Sequence, residues 1–197
     1  FGAGLKLHMP LMRHASPGFP YNNYPPAPIS CCFKPTMATP DFHFKRCSIV
    51  QEGVTHPVGT DAVLLGAWAD IAGARRILDI GTGTGVIALM LAQRTENQRG
   101  IQIDAVEIHP DSAMCAGRNF AASPWADHLN VFETTIQNFA EIADNQYDLI
   151  ISNPPFFSEK TKAPDETRRL GRHTATLPPN EMLAAVNKLL TPNGRLV

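Results

Sequence analysis

The apolar residues of this chain alternate between runs typical of strands and spacings typical of helices. The segment at residues 42–50 looks strand-like, and short apolar runs predict strands at residues 76–80, 101–108, 130–134 and 147–152. Apolar positions three and four apart predict helices at residues 62–68, 85–92, 110–122, 136–142 and 178–190. We expect Thr60-Asp61 to cap the first helix and Gly73 to end it. Strands that alternate with helices predict an α/β, doubly wound, mostly parallel sheet with right-handed crossovers.

A sheet of this kind binds ligands beyond the carboxyl ends of its strands. The residues that follow Ile80, Val106, Thr134 and Ile151 should therefore share one edge of the sheet. We therefore expect the catalytic and ligand-binding residues at that edge.

The two ends of the chain differ from its middle. Residues 1–36 hold seven of the seventeen prolines, three basic residues and no acidic residue, and they show no strand or helix period. This composition predicts a disordered N-terminal extension before a domain over residues 37–197, with a functional basic arm as the alternative. The sequence closes on a turn and the beginning of a strand, so we expect the domain to be C-terminally incomplete.

The composition narrows the class of protein. With 197 residues, 44% hydrophobic and 18% charged, the chain fits a soluble globular protein, and it has no apolar run of about 18 residues that would span a membrane. Its four cysteines show no C-x-x-C spacing and its histidines are scattered, which favours a reduced cytoplasmic compartment and no metal site. The net charge of −1 excludes a protein that coats nucleic acid with a surface that is basic throughout, but it allows a local basic patch.

A glycine-rich loop follows the strand at residues 76–80. The segment Asp79-Ile80-Gly81-Thr82-Gly83-Thr84-Gly85 lets the backbone turn tightly and approach a ligand. Val86 stands where a dinucleotide fingerprint has glycine, so a smaller nucleoside-like ligand is favoured over a pyrophosphate. A tight turn without any ligand is the alternative.

Glu107 ends the next strand, twenty-six residues after Gly81. A carboxylate at that place can accept both hydroxyl protons of a ribose, at about 1.5–3 kcal/mol for each hydrogen bond to a charged group. A solvated acid at a strand end is the alternative. The loop and this acid together resemble the class I S-adenosylmethionine-dependent methyltransferases. The resemblance implies that Asp79, Gly81, Thr82, Gly83, Gly85 and Glu107 bind the cofactor and that Thr135 and Ile136 frame its adenine, although Thr135 departs from the acid often found there.

The segment Asn153-Pro154-Pro155-Phe156 follows the strand at residues 147–152. Two successive prolines form a rigid corner without N–H donors, so the Asn153 side-chain oxygen and the Pro154 carbonyl can both accept protons from one exocyclic amine. The Phe156 ring offers a face on which a base can stack. The segment resembles the N-P-P-[FYW] motif of methyltransferases that act on adenine N6, guanine N2 or glutamine N5.

Three further stretches narrow the family. Residues 44–51 and Val58-Gly59-Thr60-Asp61 lie upstream, and residues 168–173 lie downstream. With the motifs above, the chain resembles the bacterial tRNA1(Val) (adenine(37)-N6)-methyltransferase family from about Phe42 to its end. The resemblance implies S-adenosylmethionine as cofactor and a valine tRNA as partner. It also implies a catalytic role for Asn153, Pro154, Pro155 and Phe156, with Asn153 close to the cofactor too.

A local cluster of basic residues after the Asn-Pro-Pro-Phe segment agrees with an RNA partner. The cluster could bind the phosphates on either side of a flipped base. Its members are Lys160, Lys162, Arg168, Arg169, Arg172 and His173. A solvated loop is the alternative. Three alternative functions stay open. The protein could methylate guanine N2 of ribosomal RNA, it could methylate a protein glutamine, or it could be a binding protein without turnover.

Overall fold

In a computed structural model of the chain, the structure describes residues 40–54, 56–154 and 179–197, with only the backbone of Pro179. The elements within these residues follow in the order β1 (Phe42–His43), β2 (Ser48–Ile49), α1 (Thr60–Trp68), β3 (Arg76–Ile80), α2 (Val86–Arg94), β4 (Gln102–Glu107), α3 (Pro110–Ala121), β5 (Leu129–Glu133), α4 (Ile136–Ile142), β6 (Tyr147–Ser152), α5 (Pro179–Leu189) and β7 (Leu190–Leu196). None of the helices in this part of the chain is both long and apolar enough to cross a membrane.

Five strands form one parallel sheet in the order β5-β4-β3-β6-β7. In the register of the central strand, Ile80 lies opposite Val106 on one side and Ser152 on the other. The carboxyl ends of β3, β4 and β6 therefore meet at one edge of the sheet. The predicted α/β fold with a mostly parallel sheet is confirmed.

The helices cover both faces of the sheet, because the central strand is apolar on both sides. Ile77 and Leu78 are fully buried and point to opposite faces. The Ile77 face packs against apolar residues of α2 and α3, and the Leu78 face against those of α4 and α5. Such continuous apolar strands are typical of a parallel sheet that is covered on both faces.

Three predicted elements differ in the structure, and the others agree within about two residues. The turn expected at the end of the chain is wrong: these residues belong to β7, which pairs with β6 through a register irregularity between Tyr147 and Leu149. The strand expected over residues 42–50 is an antiparallel pair of two-residue strands, β1 and β2, with the turn closed by the Phe44 N–H donating to the Cys47 carbonyl at 2.9 Å. The bend lies at Lys45 and Arg46, the charged middle of this segment.

The predicted last residue of α1, Trp68, is correct, but its predicted start and the residues predicted to cap and end it are wrong. Its N-cap is Gly59, without a side-chain cap hydrogen bond. The helix ends at Trp68, well before Gly73, and the Arg94 guanidinium of α2 donates to the Gly66 and Ala69 carbonyls at 2.9 and 2.8 Å. A side chain from another helix thus satisfies carbonyls that the end of α1 leaves without intrahelical partners.

Candidate active site

The three glycines of the loop after β3 all adopt left-handed backbone conformations. Their φ angles are +71° at Gly81, +57° at Gly83 and +82° at Gly85. A Cβ added at Gly81 or Gly83 would meet no atom within 4 Å, whereas one at Gly85 would lie 2.5 Å from Cε1 of Phe120. The first two glycines therefore keep the loop accessible to a ligand, and the third allows close packing of the loop on α3.

The loop is held in place by neighbouring elements. The N–H groups of Gly81 and Thr82 donate to the Val106 carbonyl at 2.8 and 3.2 Å, which ties the loop to β4. Asn119 on α3 donates from Nδ2 to the Thr84 carbonyl at 2.8 Å. The loop is thus a fixed platform at the sheet edge.

Asp79 lies beneath this platform and is fully buried. Its Oδ2 accepts the Thr82 hydroxyl at 2.6 Å, and its Oδ1 has no hydrogen-bond partner among the described residues. Burial raises the pKa of Asp79 to about 6; the Glu107 charge adds to this rise, and the Thr82 hydroxyl opposes it. Asp79 therefore fixes the loop from inside, and its direct contact with a cofactor stays a prediction.

Glu107 brings a nearly buried carboxylate to the same loop. Its Oε2 accepts the Gly83 N–H at 2.9 Å, and its Oε1 accepts the His109 N–H at 2.9 Å. A carboxylate oxygen has two lone pairs, so each oxygen can accept one more proton. The two N–H groups thus fix the orientation of the carboxylate, and its contact with a ribose stays a prediction.

The residues after β5 border this region mainly through their backbone. The Thr134 N–H donates to the Glu107 carbonyl at 3.0 Å. The Thr135 hydroxyl caps α4 by accepting the Asn138 N–H at 3.1 Å, and the Ile136 side chain is buried. The framing of an adenine by Thr135 and Ile136 stays a prediction.

Asn153 stands at the carboxyl end of β6, beside the end of β3. The preceding Ser152 hydroxyl donates to the Ile80 carbonyl at 3.0 Å. Asn153 donates from Nδ2 to Oδ2 of Asp61 at 2.8 Å, a contact across ninety-two residues of sequence. Because an ionised carboxylate only accepts hydrogen bonds, the NH₂ end of the amide faces Asp61 and Oδ1 is the acceptor end.

Asp61 is a candidate site residue to which the sequence motifs give no catalytic or binding role. Its signal in the sequence was the Val58-Gly59-Thr60-Asp61 stretch, which marked the family but had no role. The hydrogen bond from Asn153 lowers the pKa of Asp61, and the Ala62 N–H lowers it further, so this carboxylate is charged at neutral pH.

The remaining predicted site residues lie partly outside the described residues. Pro154 is described and exposed, whereas Pro155 and Phe156 are not described. The whole basic cluster also lies outside, namely Lys160, Lys162, Arg168, Arg169, Arg172 and His173. Within residues 40–54, 56–154 and 179–197, no three His, Cys, Asp or Glu side chains are grouped to hold a metal ion.

The sheet order, the glycine loop after its central strand and the acid after the neighbouring strand define a class I methyltransferase fold. A solved structure of the O-methyltransferase TomG from Streptomyces achromogenes shares this fold: the TM-score is 0.51 at 18% identity, over 72% of this chain and 55% of that one. The methyltransferase small domain family matches residues 58–197, and the chain belongs to that family.

Curated relatives carry a more specific name. The chain is 47% identical over 160 residues to a protein of Trichodesmium erythraeum and to one of Tolumonas auensis, each named tRNA1(Val) (adenine(37)-N6)-methyltransferase. The matches cover 81% of this chain and 66% and 65% of those proteins. The chain thus spans slightly less than two thirds of the relatives' length. The resemblance drawn from the motifs is confirmed.

Proposed function

We propose that this protein transfers a methyl group from S-adenosylmethionine to the exocyclic N6 of an adenine in tRNA, namely adenine 37 of tRNA1(Val). The observation that carries the proposal is Asn153 at the edge of the sheet, with its NH₂ engaged by Asp61 at 2.8 Å and its Oδ1 as the acceptor end. The names of the relatives support the choice of amine and of RNA. We also propose that it acts in the cytoplasm.

The described residues fit the proposed cofactor. The open space at Gly81 and Gly83 admits a ligand against the loop backbone, and the Glu107 oxygens beside it suit the two hydroxyls of a ribose. Bound there, S-adenosylmethionine would supply a methyl group activated by its sulfonium. Asp79 and Thr82 would keep the loop in shape from below.

The proposed role of the protein in the reaction is positioning. Asn153 Oδ1 and the Pro154 carbonyl accept the two protons of the adenine NH₂, which directs the nitrogen lone pair towards the methyl group. The lone pair would take up the methyl group that S-adenosylmethionine supplies, its sulfur leaving as a neutral thioether, and the alkylated nitrogen would release its proton to water. Holding the reactants in line supplies much of the rate enhancement, so no strong general base is required.

The proposed tRNA contacts follow from the sequence beyond Pro154. Extrusion of a base from its stack costs a few kcal/mol, and stacking on an aromatic ring such as Phe156 returns about 1–3 kcal/mol. The basic cluster from Lys160 to His173 would hold the neighbouring phosphates. This predicts that transfer to tRNA falls steeply with increasing salt.

The same corner could serve another amine, namely guanine N2 of ribosomal RNA or a protein glutamine, and a binding protein without turnover is the remaining alternative. Nucleoside mass spectrometry after incubation of the protein with S-adenosylmethionine and unmodified bulk tRNA or rRNA separates these. N6-methyladenosine in tRNA is expected. N2-methylguanosine, methylated protein or no product would refute the proposed substrate.

A further inference from the structure

We propose that Asp61 is a positioning residue that fixes the amide orientation of Asn153, and that Gly59 is a glycine because the Asp61 carboxylate needs its space. This inference rests on the proposed function. It gives a physical role to the Gly59-Thr60-Asp61 stretch at the beginning of α1.

The orientation of the Asn153 amide decides whether it accepts or donates. A substrate amine in the proposed pose presents protons, so Asn153 has to offer its oxygen. The Asp61 carboxylate takes the NH₂ end at 2.8 Å, and a flipped amide would place two acceptors against each other. Asp61 therefore selects the orientation that accepts protons from the substrate.

The absence of a side chain at Gly59 leaves space for this carboxylate. Its φ of −101° and ψ of 159° lie in the extended region, which any residue adopts, so backbone conformation does not require glycine there. A Cβ at position 59 would, however, overlap with Oδ1 of Asp61. An alanine would push the flexible carboxylate aside while leaving Asp61 and Asn153 in the chain.

The segment that carries Asp61 is anchored on both sides. Before it, the buried Gln51 accepts the Val58 N–H and donates to the Pro40 carbonyl, both at 2.6 Å. After it, Arg94 of α2 binds the end of α1. Since α2 begins directly after the glycine loop, the Asp61 carboxylate and the cofactor loop share one rigid frame.

The test compares Asp61→Asn and Gly59→Ala with a matched control, Glu181→Gln. Glu181 is likewise an exposed acid in the first turn of a helix, α5, and it accepts a hydrogen bond from the side-chain amide of Gln137 at 2.8 Å. We expect both test variants to lower kcat on tRNA about 10–100-fold, because misplacement by about 1 Å can cost that much. The Kd for S-adenosylmethionine, the KM for tRNA and the Tm should stay close to wild type, and Glu181→Gln should leave all four quantities unchanged.

A second measurement tests the contact without activity. The ¹H–¹⁵N side-chain signals of Asn153, identified by their loss in Asn153→Ala, should shift in Asp61→Asn and in Gly59→Ala but stay in place in Glu181→Gln. A wild-type kcat in Asp61→Asn, or unshifted Asn153 signals in both variants, would overturn the positioning role. Shifted signals in a protein that methylates no tRNA would support the contact and refute the proposed function instead.

Discussion

Gly81 and Gly85 offer a direct test of how the cofactor loop is built, because they share a backbone conformation and differ in their surroundings. Both have φ angles between +70° and +85°. A methyl group at Gly81 would enter open space, whereas at Gly85 it would lie 2.5 Å from the ring of the fully buried Phe120. The two alanine variants therefore separate backbone strain from core packing.

The expected magnitudes follow from these two contributions. A left-handed conformation costs an L-residue about 1–2 kcal/mol, and this cost applies to both variants. An extra methyl group in a packed core adds about 1–3 kcal/mol, and this cost applies to Gly85→Ala alone. At about 2–4 °C per kcal/mol for a chain of this size, Gly85→Ala should melt about 2–12 °C below Gly81→Ala. Gly81→Ala, in contrast, should lose more affinity for S-adenosylmethionine, since its methyl group occupies the space proposed for the ligand.

The assay is thermal unfolding of both variants in the absence of cofactor, followed by calorimetric titration with S-adenosylmethionine. The double variant Gly85→Ala/Phe120→Leu isolates the ring contact, and its destabilisation should fall short of the sum of the single variants by about 0.5–3 kcal/mol. Equal melting temperatures for Gly81→Ala and Gly85→Ala, or strict additivity in the double variant, would refute the assignment of Gly85 to packing.

Three further outcomes are expected. Burial raises the pKa of Asp79 from 3.8 to about 6, so the folded state binds this proton more tightly than the unfolded chain and loses about 3 kcal/mol of stability as pH rises from about 4 to about 6. Asp79→Asn should remove that loss, seen as a stability gain over wild type that grows across this pH range in urea unfolding; a gain independent of pH would contradict the burial argument. Glu107→Ala should weaken S-adenosylmethionine binding at least about 10-fold in calorimetry, from the loss of hydrogen bonds to a charged group, and unchanged affinity would mean that the ribose assignment is wrong. Asn153→Ala should abolish methyl transfer while its Kd for S-adenosylmethionine stays near that of wild type, and turnover at the wild-type rate would remove the proposed mechanism.

The parts of the fold that are encoded locally could be predicted from the sequence. Strands β3 to β6 are short apolar runs, whereas β7 is mostly polar and was not predicted as a full strand. The glycine spacing from Gly81 to Gly85 marks the turn that follows β3. Asn153 and Glu107 could be placed at one edge because the carboxyl ends of neighbouring parallel strands meet there. These inferences need only periodicity and sheet topology.

The parts that depend on distant contacts could not be predicted. Asp61 meets Asn153 across ninety-two residues, and nothing local distinguishes it from an ordinary first-turn acid of a helix. The end of α1 depends on Arg94, which lies on another helix. Asn119, which donates to the Thr84 carbonyl of the glycine loop, likewise shows no motif of its own. In each case a side chain acquires its role only when two elements pack together.

Transfer of a deuterated methyl group would show whether this protein methylates a single adenine amine in tRNA. The protein would be incubated with S-adenosylmethionine carrying a CD₃ group and with either a tRNA1(Val) transcript or the same transcript with guanosine at position 37. Nucleoside mass spectrometry should find N6-methyladenosine heavier by three mass units than the unlabelled nucleoside in the first transcript and none in the second. Methylation of adenine 37 would be refuted if both transcripts, or neither of them, carried the labelled methyl group, or if the label were on guanine.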